Sequence, residues 1–194
     1  MKLIVFDVET KKTFDEVGGY YPAKLEVSVS GVFYRDSEKG EEWIRGYREE
    51  EFPEMFNLFE QADRIVGFNS INFDMPALQP YYMGDLLALP NFDIMVEIQK
   101  DGGHRIGLDA VARETVGEQK GGNGLDAIKY YREGDWDKLT KYCLQDVKIT
   151  RDVYDYGVKH GILKFKNKWN NIIEAKVEFG EFGIEKNKVQ TTLF

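Results

Sequence analysis

The apolar positions of this chain follow two rhythms, and the rhythms alternate along its first 158 residues. Residues 2–10, KLIVFDVET, place Leu3, Ile4, Val5, Phe6 and Val8 in one short run. A continuous β-branched and aromatic stretch reads as a buried central strand. Residues 25–34 alternate apolar and small residues and suit a second strand. Residues 36–40 are a turn, and residues 41–46 a third strand. Short turns make these three an antiparallel meander. Phe52, Met55, Phe56 and Phe59 then recur at helical spacing behind three glutamates that favour a helix N-terminus. Residues 63–68, DRIVGF, form a fourth strand; the crossover through the helix predicts that it runs parallel to the first. A helix from Asp74, a short strand over 91–94 with a helix to about residue 100, and a helix over 108–116 follow. The longest helical pattern covers 136–156, with Leu139, Tyr142, Cys143, Val147, Thr150, Val153 and Tyr154 on its apolar face.

Charge inside these patterns is what asks for explanation. Asp7 and Glu9 sit in the second half of the first strand. Residues i and i+2 of a strand share a face, so both carboxylates project together at its end. Side by side in a core they repel and lose hydration, and a hard divalent cation bound by oxygen removes both penalties. A strand that simply ends in solvated acids is the other reading. Asp74 either caps its helix or faces Asp7 and Glu9 from the neighbouring parallel strand's end. Tyr142 and Asp146 stand at i and i+4 on an otherwise apolar helix face. An aspartate beside Val147 and Cys143 is hard to explain as solvated surface.

Composition narrows the setting. The 194 residues fit one domain with a tail, and 42% hydrophobic residues with 27 aromatics can fill a core. Formal charge is −8, from 26 basic and 34 acidic residues. That argues against binding nucleic acid by bulk charge. The charge divides unevenly: residues 159–194 carry 7 Lys and 4 Glu, or +3, and residues 1–158 the remaining −11. One cysteine, Cys143, cannot form an internal disulfide. Neither a signal peptide nor a membrane span is legible, so a cytoplasmic protein is expected. Tyr20 and Tyr21, in a long loop over 11–23, could stack on a base or pack that loop. The glycines of 117–124 lack a P-loop ending and read as a flexible loop. His104 and His160 have no partner at ligand spacing.

FDVET, GFNSINFD and YCLQD, in that order, resemble the three motifs of the DEDD superfamily of 3′–5′ exonucleases. Tyr142 aligns the chain with the DEDDy branch. In the histidine branch a His stands five residues before the last Asp, where this chain has Lys141. The chain looks most like small domains akin to the exonuclease domain of family B DNA polymerases. LDAVARETVG, over 108–117, also resembles the helix that precedes the third motif. The resemblance implies an α/β, ribonuclease H-like three-layer fold: a mixed five-stranded sheet with strand 1 central, flanked by helices. It implies that Asp7, Glu9, Asp74 and Asp146 hold two Mg²⁺ or Mn²⁺ ions for a two-metal hydrolysis of phosphodiesters. Tyr142 would position the attacking water, since a phenol of ordinary pKa about 10 is a poor base. Thr10 and Asn69 would face the substrate, the 3′ end of single-stranded DNA or RNA, with DNA slightly favoured. A ribonuclease H-like module that binds nucleic acid or protein without catalysis is the alternative; an intact acid set argues against it.

The expected division is 1–158 for this domain and 159–194 for a basic, aromatic extension. KHGILKFKNKWN, from 159 to 170, suits either backbone contact with stacking or a last helix packed on the core. The terminal QTTLF resembles peptides that dock on sliding clamps, with Gln190 for a polar pocket and Leu193 and Phe194 for an apolar one. Leu193 and Phe194 packing on the domain is the competing reading.

Overall fold

The computed structural model of the protein describes residues 1–102, 105–119, 122 and 124–180. β1 (Lys2–Thr10) is the middle strand of a five-stranded sheet. On one side it pairs antiparallel with β2 (Val27–Asp36), which pairs antiparallel with β3 (Glu41–Arg48). On the other it pairs parallel with β4 (Arg64–Gly67), which pairs parallel with β5 (Asn91–Asp93). The order is β3-β2-β1-β4-β5, with strand 1 central and strand 4 parallel to it as the sequence pattern predicts.

Strand parity decides what each face carries. Ile4, Phe6 and Val8 point to one side, where α1 (Phe52–Glu60) and α2 (Asp74–Leu78) bury Phe52, Met55, Phe56, Phe59, Met75 and Leu78. Leu3 and Val5 point to the other, toward α3 (Ile94–Gly102), α4 (Leu108–Thr115) and α6 (Trp136–His160). Each such buried aliphatic or aromatic side chain contributes roughly 1.5–3 kcal/mol. Asp7 and Glu9 have the parity of Leu3 and Val5, so they face α6.

α6 lies close to the sheet because two glycines clear its path. Gly31 of β2 and Gly46 of β3 are register partners. A Cβ on Gly31 would meet Val147 Cγ2 at 2.8 Å and Cys143 Sγ at 3.0 Å; one on Gly46 would meet Thr140 Cγ2 at 2.7 Å. α6 ends where Gly161 adopts φ +70° and donates its N–H to the Gly157 carbonyl at 2.7 Å.

The segment after α6 is a hairpin, not a further helix. β6 (Ile162–Lys166) and β7 (Ile172–Lys176) pair antiparallel. The residues alternate: Leu163 and Phe165 turn inward, while Lys164 and Lys166 ion-pair with Glu174 and Glu114. That period of two excludes a helical face. Leu163, Phe165, Ala175, Val177 and Phe179 are buried in the same apolar cluster as Leu3 and Val5. Phe179 stacks on Phe92, and its carbonyl accepts from the Arg64 guanidinium. Trp169, at the hairpin turn, is exposed.

Candidate active site

β4 is shorter than β1, and the site grows from that mismatch. The β1–β4 ladder runs from Leu3↔Arg64 to Val5↔Val66 and stops. Past that point the chain turns away through Phe68–Phe73 before α2 begins. Asp74 is the first residue of α2, and Phe73 occupies the N-cap position. Asp74 therefore stands one residue past the N-cap position. Its Oδ1 accepts the Val8 N–H at 3.1 Å. A main-chain donor of the central strand thus finds a carboxylate where the neighbouring strand has ended.

α6 supplies the opposite wall. Tyr142 and Asp146 are one turn apart on it, and Asp146 is buried with Glu9 and Asp74 at 3–7% exposure, while Asp7 is half-buried. Cys143 lies behind Asp7, its Sγ 3.6 Å from the Asp7 carbonyl oxygen and 3.9 Å from Oδ2. Burial pushes the Cys143 thiol well above its ordinary pKa, and the charges of Asp7, Glu9 and Asp146 push it further. Three carboxylates from two elements acting on one sulfur show how tightly this side of the site is gathered.

Asp7, Glu9, Thr10, Asn69, Asp74, Tyr142 and Asp146 all line one cleft of about 670 Å³. The seven residues singled out in the sequence domain are therefore brought together. Thr10 donates its hydroxyl to the Lys12 carbonyl at 3.1 Å, which shapes the loop leaving β1. Gln190, Leu193 and Phe194 lie outside the described residues, as does His104. His160 packs its ring on Tyr156 at 4.2 Å.

Other lining residues were not legible as site residues. Phe14, Phe68 and Phe73 give the cleft aromatic walls, and Lys12 and Arg105 bring cations to it. Tyr20 stacks on Phe14 at 4.7 Å and donates its hydroxyl to the Asn72 carbonyl, so it packs the loop over 11–23. α5 (Gly124–Glu133) contributes Leu125 and Ile128. The spacing of Leu125, Ile128 and Tyr131 is its sequence signal, masked by the adjoining glycine run. Gly122, in that run, leaves room for the Tyr142 ring: a Cβ there would lie 3.3 Å from Cε2. Asp93, buried at the end of β5, accepts four main-chain N–H groups; an Asp directly before a helix was its only signal.

The donor set fits hard divalent cations. Asp7, Glu9, Asp74 and Asp146 offer carboxylate oxygens to one cleft, and like charges gathered there favour a compensating cation. The Asp7, Glu9 and Cys143 ligand atoms lie within 4.8 Å of one another. Carboxylate oxygens outnumber the one sulfur in this set, and hard divalent ions prefer oxygen.

A central strand bearing acids, flanked antiparallel on one side and parallel on the other, with an acid-lined cleft at its end, defines a ribonuclease H-like domain. The chain belongs to the RNase_H_2 family of the RNase H superfamily, whose model matches residues 4–158. Members of that superfamily are generally nucleases, dependent on divalent metal ions. No curated protein matches the chain. Among the described residues, no helix is long and apolar enough to cross a membrane.

Proposed function

We propose that the protein is a metal-dependent 3′–5′ exonuclease of the DEDDy kind, acting on single-stranded nucleic acid. The observation that carries this reading is the meeting of Tyr142 and Asp146 with Asp7, Glu9 and Asp74 in one cleft. A phenol one turn from the last acid is placed to orient an attacking water, as the DEDDy resemblance implies.

Asp7, Glu9, Asp74 and Asp146 hold two Mg²⁺ or Mn²⁺ ions in this reading. What the ions add when bound is Lewis acidity toward an attacking water and toward the departing 3′ oxygen. Tyr142 directs its hydroxyl at that water and fixes its line of approach to phosphorus. Phe14, Phe68 and Phe73 pack against the terminal base, and Lys12 and Arg105 offset phosphate charge at the rim. Asn69 and Thr10, which both line the cleft, contact the terminal nucleotide in this reading. The terminal QTTLF would tether the enzyme to a sliding clamp; this part of the reading rests on sequence alone.

The test is Mg²⁺-dependent release of mononucleotides from 3′-labelled and 5′-labelled single strands of DNA and RNA, wild type beside Asp7→Ala. Shortening from the 3′ end by wild type alone is the expected result. Equal behaviour of the two proteins, or cleavage only at internal positions, overturns the assignment.

A further inference from the structure

Asp93 is a buried carboxylate with 1% exposure, at the C-terminal end of β5. Four main-chain donors converge on it. Its Oδ1 accepts from Asn69 N at 2.8 Å, Met95 N at 3.0 Å and Val96 N at 3.3 Å, and its Oδ2 from Ile71 N at 3.0 Å. Two of these donors begin α3. The other two belong to the turn that leads from β4 to Asp74.

That turn is tightly folded. Asn69 sits at φ +65°, in the left-handed region that asparagine enters more readily than other side-chain-bearing residues. Gly67 pairs with Asp93 across the β4–β5 ladder, and a Cβ on it would meet Ser70 Cβ at 2.4 Å. Ser70 is buried, and its carbonyl accepts the Met75 N–H at 2.9 Å. The turn is therefore folded back on its own strand and held from the side by one anion. Directly after it comes Asp74, whose carboxylate reaches Val8.

We propose that Asp93 is a positioning residue of the catalytic site: by clamping the Asn69–Ile71 turn it sets where Asp74 stands, and so closes the cleft on β1. It touches neither metal nor substrate and acts only through Asp74. Burial pushes its carboxyl above the ordinary value, and the four N–H groups oppose that shift. Losing the acceptor leaves the buried Met95 N–H and the part-buried Asn69, Ile71 and Val96 N–H groups short of a partner, which costs free energy. The proposal rests on the exonuclease reading for its purpose, but its geometry can be tested without nucleic acid.

Asp93→Asn is the informative change. The amide oxygen can replace Oδ1 for three donors, while its NH₂ meets the Ile71 N–H, donor against donor. The control is Asp36→Asn. Asp36 is also buried and accepts two turn N–H groups, from Glu38 and Lys39, but at the far end of β2. On the full chain, amide exchange of the metal-free protein and Mn²⁺ titration calorimetry are measured for all three proteins. In Asp93→Asn the Val8 amide exchanges at least about tenfold faster than in wild type. Mn²⁺ affinity falls about 10- to 100-fold, as for other residues behind a metal ligand. Asp36→Asn changes neither. Wild type supplies a reading even if the variant does not fold: Val8, Asn69 and Ile71 should open together, with protection factors within about threefold of one another. Val8 protection that survives in Asp93→Asn, or that persists in wild type while Asn69 and Ile71 exchange freely, overturns the proposal. If wild type degrades no oligonucleotide yet Asp93→Asn frees Val8, the exonuclease reading falls and the positioning role stands.

Discussion

Val8 donates its main-chain N–H to Oδ1 of Asp74 at 3.1 Å, across 66 residues of sequence. The bond stitches the first acidic motif to the second. Val8 lies between Asp7 and Glu9 on β1, but its side chain faces α1 and α2 while theirs face α6. The acids are thus fixed by the sheet and the third carboxylate by the sheet's own backbone, before any ion is considered.

Asp74→Asn separates that structural role from charge. The amide oxygen can still accept from Val8, so the melting temperature should change little. Charge at the site is lost, and hydrolysis should fall by about three orders of magnitude or more. Thermal melts and oligonucleotide degradation on the same preparation check both halves.

Tyr142→Phe removes only a hydroxyl from the cleft wall. If the phenol positions water, turnover drops about 10- to 100-fold. Mn²⁺ binding should stay at the wild-type value, since Tyr142 is not among the carboxylate donors. Calorimetry beside single-turnover kinetics reads the two effects apart.

Gly31→Ala attacks the site from beneath. The new methyl would lie 2.8 Å from Val147 and 3.0 Å from Cys143, so α6 must lift. Overpacking of this kind costs about 1–3 kcal/mol. Because α6 carries Tyr142 and Asp146, activity should fall together with the urea midpoint, even under conditions where the variant is fully folded.

Cys143 provides a test of burial without substrate. Thiolate is the reactive form, and burial together with Asp7, Glu9 and Asp146 holds this thiol well above its ordinary pKa. Iodoacetamide at mildly alkaline pH should label the native protein far more slowly than the same protein in urea. Mass spectrometry of the Cys143 peptide over time gives both rates. Equal rates would mean that the thiol is open to solvent.

Several features were readable in the amino-acid order because they depend on local geometry. Asp7 and Glu9 share a face by the pleat of one strand, and Tyr142 and Asp146 share one by the pitch of one helix. The crossover between β1 and β4 also followed from element order. The N-cap reading of Asp74 did not hold, because its carboxylate is drawn to an unpaired strand donor that no local rule reveals. α5 escaped because the glycine run before it was the louder signal. The hairpin after α6 is hard to read in the amino-acid order because four lysines obscure the alternation of Leu163 and Phe165.

By itself, then, the order of residues determined which elements form and which acids each presents, since those choices are made within a few residues of backbone. Only the tertiary structure decided that the strands lie in the order β3-β2-β1-β4-β5, that Gly31 and Gly46 meet to admit α6, and that Asp93 holds the turn before Asp74. Each of these joins groups far apart in the chain. Their distances are set by side-chain packing and by the need to satisfy buried N–H groups, which exist only once the sheet has closed.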